Sequence, residues 1–553
     1  MTQGFALTPA FTPMRNADVN KKTPQGRVPR PALIAAALAM VWLTGCAIKP
    51  QPFTEIDRAA TASAERAKLF DQQEPVSGPI TLDQAMARAV RYNLDHRLKM
   101  MEEALSQRQL DLSNFNLLPK LTAQAGYNHR NHPLASGSEG LYTGEESLIP
   151  SFSTDQNSRT ADLNLSWNLL DFGVSYFEAK QQADHVLVLE QRRRKVVQLL
   201  MQQVRESYWQ TLGAQRLRDR VGPLLEQARV ALEDSRREQA QGLRSPITTL
   251  TYQRILLDLM RQLEVVRTQL EEAKPRLAAL MNLDPGSDFT LAGSDTFQVP
   301  AFDMPMDKME DMALQRRPEL VEASYNERIS VNETHKAIAK LLPGIELSLG
   351  THYDSNSFLV YNTWQSAGVS ISWNLLNALN AGNIRGAAQA QLDVAQAQRM
   401  ALSMAVLSQV HLSRSQLAAK TRQFDLYKQA NDVDQQLLTH THNATVATAQ
   451  GKLDEIRAAT AAMMSELRVY QSYGELESAY GQMLATLGLD PLGEKLASND
   501  LASVEASIAQ EQKRWGALAR GADAPGADTA AAAQKSALAA AAPATSMPGT
   551  LQK

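Results

Sequence analysis

The chain has one cysteine, Cys46, in 553 residues, so it can form neither an intramolecular disulfide nor a site that needs two thiolates. It also lacks an excess of either charge: 56 basic side chains stand against 59 acidic ones, for a net charge of −3. A dedicated nucleic-acid binder carries a clustered basic excess, so no nucleic-acid partner is expected. No segment reaches the roughly 20 consecutive apolar residues of a membrane-spanning helix, which excludes a polytopic helical membrane protein. Aromatic residues make up only 6%, while hydrophobic residues make up 44%, enough for a large core. Glycine-rich phosphate loops, HExxH and GxSxG are all missing, so neither an enzyme nor a cofactor is expected.

What is present begins with an address. Arg15, Lys21, Lys22, Arg27 and Arg30 precede an apolar run at 32–43 that ends in Leu43-Thr44-Gly45-Cys46. The run is too short to span a bilayer and suits a signal peptide covering 1–45. The tetrapeptide is similar to a bacterial lipobox, in which Cys46 becomes the acylated first residue. Acyl chains contribute about 0.8 kcal/mol per buried CH₂, so two or three hold the chain to lipid. Ala47, in place of Asp, implies passage to the outer membrane. Residues 46–79 hold Pro50, Pro52, Pro75 and Pro79 and read as a tether. Residues 496–553 read as a tail, Ala/Pro/Gly/Ser-rich and disordered from about 521.

Between these ends the chain repeats itself. Ser166-Trp167-Asn168-Leu169-Leu170 recurs 206 residues later as Ser372-Trp373-Asn374-Leu375-Leu376. Leu283-Asp284-Pro285 recurs at the same offset as Leu489-Asp490-Pro491, and Leu117-Leu118-Pro119 recurs as Leu341-Leu342-Pro343. Three ordered matches point to a duplication, with copies at 80–295 and 296–495. Each copy has two segments of period-2 alternation, about 120–129 and 160–168 in the first, 345–353 and 366–374 in the second. A soluble sheet alternates in the same way. Two details favour a membrane barrel: the polar faces are small and hydrophilic, and Trp167 and Trp373 stand at strand ends, where interface aromatics lie. Four strands do not close a barrel, so a membrane sheet requires several copies of the chain.

The remainder reads as long helix. Gly173 to Gly242 and Gly382 to Gly451 are both 69 residues apart, and at about 1.5 Å per residue each stretch spans roughly 100 Å. Val186, Leu189, Val196, Leu200, Val204 and Tyr208 follow coiled-coil-like spacing. The basic run Arg192-Arg193-Arg194-Lys195 reads as a solvated face, and Gly222-Pro223 as a bend. Met304, Met306, Met309 and Met312 suggest Cu(I), but helical spacing makes an apolar face the better reading. His440 and His442 do not share a helix face, so no metal site is assigned.

Together these features resemble the TolC-like outer-membrane factors, the exit ducts of efflux pumps and type I secretion systems. The resemblance covers residues 80–495. It rests on Ile80-Thr81-Leu82-Asp83-Gln84-Ala85, the Leu-Leu-Pro before a strand, the Trp-Asn-Leu-Leu closing a strand, and the glycine tips. It implies a fold that is mainly α with a membrane β-barrel portion: a homotrimer joining a twelve-strand barrel to a twelve-helix periplasmic α-barrel. It implies outer-membrane lipid around the sheet, a periplasmic adaptor protein at the tips and an inner-membrane transporter beyond. Carried over by position, the adaptor contacts are Gly242, Leu243, Arg244 and Ser245 and Gly451, Lys452 and Leu453. Asp454, Glu455 and Arg457 are the aperture candidates, with Arg457 standing where the family commonly has Asp. The competing reading is a coiled-coil structural lipoprotein that spans the periplasm without a channel.

Overall fold

A computed structural model describes residues 50–71, 73–146, 149–242, 245–293, 296–447, 451–492 and 500–520. It divides into two units, 1–69 and 70–553. In the first unit the described structure is helix α1 (Glu55–Leu69), which buries no residue. Its start is capped reciprocally: Asp57 N–H donates to Thr54 Oγ1 at 3.2 Å, and Thr54 N–H donates to Asp57 Oδ2 at 3.1 Å. The proline-rich stretch read as a tether therefore contains a regular helix.

The second unit holds the duplicated body. Its first copy runs α2 (Leu82–Tyr92), α3 (Leu94–Phe115), β1 (Lys120–His129), a small hairpin of β2 (Ala135–Ser136) and β3 (Ser151–Phe152), β4 (Asn157–Asn168), α4 (Leu169–Ala240) and α5 (Pro246–Leu280). Its second runs α6 (Met306–Arg316), α7 (Pro318–Ala339), β5 (Gly344–Asp354), β6 (Thr363–Ser372), α8 (Leu375–Leu379), α9 (Ala381–Ala447) and α10 (Lys452–Thr486). Lengths match across the copies: 11 residues in α2 and α6, 22 in α3 and α7, and 35 in α5 and α10. Helix α11 (Leu501–Ala519) follows.

The repeated motifs are the punctuation of this fold. Asn168 Oδ1 accepts from the N–H groups of Leu170 and Asp171 at 2.9 and 3.2 Å, and Asn374 Oδ1 accepts from Leu376 and Asn377 at 3.1 and 3.2 Å. In both copies the Asn of Trp-Asn-Leu-Leu thus starts the helix that continues from a strand. Leu-Leu-Pro does the reverse, closing α3 and α7 with tight turns and ending in a proline directly before β1 and β5. Leu-Asp-Pro follows α5 and α10. Leu283 N–H donates to the Ala278 carbonyl at 2.8 Å, and Leu489 N–H to the Leu484 carbonyl at 3.1 Å, with Asn282 (φ 57°) and Gly488 (φ 72°) in the left-handed region. The following aspartates fold their own turns: Asp284 accepts from Gly286 N–H and Asp490 from Leu492 N–H.

Neighbour relations are simple. The sheet order is β1-β4-β5-β6, antiparallel throughout. The helices next to the sheet follow the same order, α3-α4-α7-α9, because each strand continues its own helix. Away from the sheet the order is α5-α4-α10-α9. With 72 residues, α4 is about 110 Å long. It is one continuous element with Pro223 inside it.

At mid-height the linker before α6 locks the helices together. Phe297 packs tilted or edge-on against Trp209 of α4, Phe424 of α9, and Tyr470 and Tyr473 of α10, with centroids 4.8–6.0 Å apart. Tyr208 donates to the Ala292 carbonyl at 2.7 Å and lies 3.1 Å from the Ile80 carbonyl, where burial pushes its phenol up to about 12. Arg205 and Glu477 form a buried pair at 2.9 Å between α4 and α10.

Three readings need correction. The basic run is only partly solvated: Arg192 and Lys195 stay about half exposed, but Arg192 pairs with Glu322, Arg193 with Glu103, Arg194 with Asp490 and Lys195 with Glu319, at 2.7–3.2 Å. Four successive helical residues point around the whole circumference, and α4 has neighbours on most sides. The region read as a C-terminal tail contains α11, which buries Leu501, Val504, Ile508 and Trp515 and packs on α2. Those four positions sit three, four and seven residues apart, so the amphipathic signal is present in the sequence. The tether reading also fails from residue 73 onward. Gln73 donates to the Asn282 carbonyl at 2.6 Å, and buried Arg88 donates to the carbonyls of Glu74 and Pro75.

Two predictions follow from these contacts. A Cβ at Gly488 would lie 2.5 Å from the Arg316 backbone, in addition to the roughly 1–2 kcal/mol cost of the left-handed conformation. Gly488→Ala should lower the apparent Tm in detergent, whereas Asn282→Gly should not. His96 is buried, with its Nδ1 2.6 Å from the Val90 carbonyl, and burial holds its pKa below the ordinary value despite that hydrogen bond. The unfolded chain therefore binds the proton more readily, so stability is lost as pH falls through about 6.5. His96→Gln should reduce the difference in apparent Tm between about pH 7.5 and about pH 5.5.

Candidate functional site: sheet faces, open flanks and hairpin tips

Cross-strand register separates two faces of the sheet. Leu121, Leu165, Leu349 and Ala367 lie side by side on one face. Trp167, Leu347 and Val369 form another row of that face, with Ile345 beside Ile371. Lys120, Ser166, Ser348 and Gly368 form a row on the opposite face, next to Thr122, Asn164, Gly350 and Ser366. The apolar face has no cover: Leu121, Leu349, Val369 and Ile371 are 57–71% exposed.

Trp167 and Trp373 stand at the helical end of this apolar face. Trp373 Nε1 donates to the Leu341 carbonyl at 3.0 Å, and the Trp167 ring meets Phe172 edge-on at 5.8 Å. The fourth strand begins at Thr363, three residues before the expected start, and so includes Trp364. Alternation puts Trp364 on the polar face with Ser366 and Gly368. Extending the pattern upstream through Gln365 would have revealed it.

Both sides of the body end in unpaired elements. β1 and β6 are the sheet edges. Below β1, α3 exposes Leu98, Met101, Leu105, Leu112 and Phe115, a seam at three-, four- and seven-residue spacing. Below β6, α9 exposes Val394, Met400 and Met404 near the sheet, then Leu426, Val433 and Leu437 toward the tip. On the α3 side of the tip half, α5 exposes Ile247, Leu250, Leu257 and Val265.

The hairpin tips are short. Gly242 (φ 67°) follows α4, and Ser245 with Pro246 starts α5. Leu243 and Arg244 lie outside the described residues, as does Cys46. In the second tip Gly451 precedes α10, where Glu455 N–H donates to the Gly451 carbonyl at 2.9 Å. Lys452 is exposed, while Leu453 packs against the core with Ile456. The aperture candidates are brought together but not left free. Glu455 Oε1 lies 2.6 Å from His442 Nδ1 on α9, and Arg457 holds Asp454 at 3.3 Å. Asp454 and Glu455 also suit the positive end of α10. Far from the tips, Met304 and Met309 are buried in the core with Met306 and Met312 packed against it.

Residues 96–283 match the family model for outer membrane efflux proteins. This stretch of the chain is similar to that family. Solved outer-membrane channels share the fold of this chain. OprN is 18% identical with a TM-score of 0.56, the alignment covering 74% of this chain and 89% of that one. CmeC of Campylobacter jejuni is 13% identical with a TM-score of 0.58, covering 84% and 97%. The open state of MtrE from Neisseria gonorrhoeae is 15% identical with a TM-score of 0.55, covering 74% and 88%. No curated protein matches the sequence.

The hairpin contact yields a prediction for this chain. His442→Ala should unlatch α9 from α10 and raise amide hydrogen exchange in the first turn of α10. Equal exchange in parent and variant would show that the pair does not hold the tip.

Proposed function

We propose that three copies of this chain close into a passive duct through the outer membrane and periplasm. One observation carries the reading: every open edge lies on one of two flanks. β1, α3 and α5 share one flank; β6 and both halves of α9 share the other. Placing one flank against the other of the next copy pairs strand edges and covers both apolar helix seams together. Three copies supply twelve strands, enough to enclose a channel, with the polar face inward and the apolar face toward lipid. A periplasm-spanning spacer would need no such sheet.

The duct works by geometry. Most of its lumen is hydroxyl, amide and glycine and offers few binding wells, so solute passes by diffusion while an inner-membrane transporter supplies the energy. A periplasmic adaptor docks at Gly242–Ser245 and Gly451–Leu453 and widens the aperture by moving the helices. Cys46 carries the lipid anchor after removal of residues 1–45, and the stretch from 521, read as a tail, lies outside the described residues. At the tip Asp454, paired with Arg457, and Glu455, paired with His442, line the constriction. Efflux of small solutes and type I secretion both fit this architecture.

Light scattering of the detergent-extracted protein should give the mass of three chains. Leu105→Asp or Met404→Asp, placed in the two open seams, should each reduce the trimer while leaving helix content unchanged. Trimers in a planar bilayer should show discrete conductance steps, raised by Asp454→Asn with Glu455→Gln. A protein that remains monomeric at all concentrations would overturn the duct reading.

A further inference from the structure

The polar face of the sheet has one bulky level. Gln124, Asp162, His352 and Trp364 lie side by side across the four strands. The next level toward the helices is Thr122, Asn164, Gly350 and Ser366, and the one after is Lys120, Ser166, Ser348 and Gly368. In a lumen of small polar groups, an indole therefore stands on a single level, 43% exposed.

That indole rests on a built platform. The His352 ring is stacked on Trp364, with centroids 5.3 Å apart and planes 22° from parallel. Both imidazole nitrogens are engaged: Nδ1 lies 2.6 Å from Asp162 Oδ1, and Nε2 lies 2.8 Å from Ser366 Oγ. Held at both ends, the imidazole cannot swing away from the indole. A glycine makes the room for it, since a Cβ at Gly350 would lie 2.6 Å from His352 Nε2. The face of Trp364 away from His352 turns toward the edge of β6, where the closed barrel places the β1 of the next copy. The charge on this face is mainly negative, with Asp162, Glu346 and Asp354 against Lys120.

We propose that this level is a binding belt for flat aromatic cations passing through the barrel. The indole face offers stacking and cation–π attraction, and the Asp162 carboxylate one strand beyond His352 supplies the counter-charge. The belt rests on the duct reading, because only a closed barrel turns the polar face into a lumen. Its three copies make the barrel a weak filter by charge and shape, where the remainder of the lumen is indifferent.

Equilibrium binding tests the belt directly. Ethidium, the probe for an aromatic cation, is titrated by fluorescence against the detergent-extracted trimer, with fluorescein as an anionic control. Ethidium should bind, Trp364→Ala should weaken it about tenfold, and Trp364→Phe should retain part of the affinity. Asp162→Asn should weaken ethidium, and fluorescein should bind poorly to every variant. Titrations that superimpose for parent and Trp364→Ala, both trimeric by light scattering, would overturn the belt and leave the duct standing. Fluorescein binding as tight as ethidium would overturn the preference for cations. A parent protein that is monomeric by light scattering would overturn the duct, and the belt with it.

Discussion

Everything in this chain turns on sheet edges that one copy leaves unpaired. β1 and β6 are ten-residue strands, each with one side of its backbone unpaired. Water would accept those groups, but lipid does not, and each unpaired one costs several kcal/mol there. The apolar face of the same sheet calls for lipid. On the proposed duct reading both demands are met when β6 finds the β1 of another copy. The helices obey the same constraint, because α3, α5 and α9 carry their exposed seams on the flanks where the strand edges lie.

Within one copy, duplication does the organising. Each half repeats a short helix, a medium helix, two strands, a very long helix and a 35-residue return. Long helices alone would slide in register, since their packing repeats along the axis. Phe297 and its aromatic neighbours, the Arg205–Glu477 pair and the ion pairs of the basic run fix that register at mid-height. Solvated ion pairs are worth about 0–1 kcal/mol each, so the run specifies alignment more than it adds stability. The tips lie far from this level, and there the His442–Glu455 contact adds to the packing of Leu453 and Ile456.

The polar face of the sheet illustrates how little bulk decides a lumen's character. Serine, glycine, asparagine and threonine keep most of this face small and polar, and on the duct reading a single tryptophan level changes what meets a passing solute. His352 belongs to that level as a positioning residue: it touches Asp162, Ser366 and Trp364 and fixes the indole plane.

The sequence by itself determined the elements and their ends. Period-2 alternation gave the strand faces, helical spacing the long helices, and three repeated motifs the duplication, because caps and turns are local chemistry written in a few residues. Asn168, Asn374, Gly488 and Pro119 do their work within one turn of themselves. The reading failed where the decisive contact lay far along the chain. Arg192–Lys195 looked solvated because its four partners come from three other segments. Residues 73–80 looked like tether because the carbonyl that Gln73 reaches is 209 residues away. The helix at Leu501–Ala519 and the place of Trp364 on the polar face were legible in the alternation, but their meaning was not. Only tertiary structure put Trp364 over His352, and only neighbour order put every open edge on two flanks. Periodicity says which face of an element is apolar, while what covers that face depends on elements brought together from the whole chain.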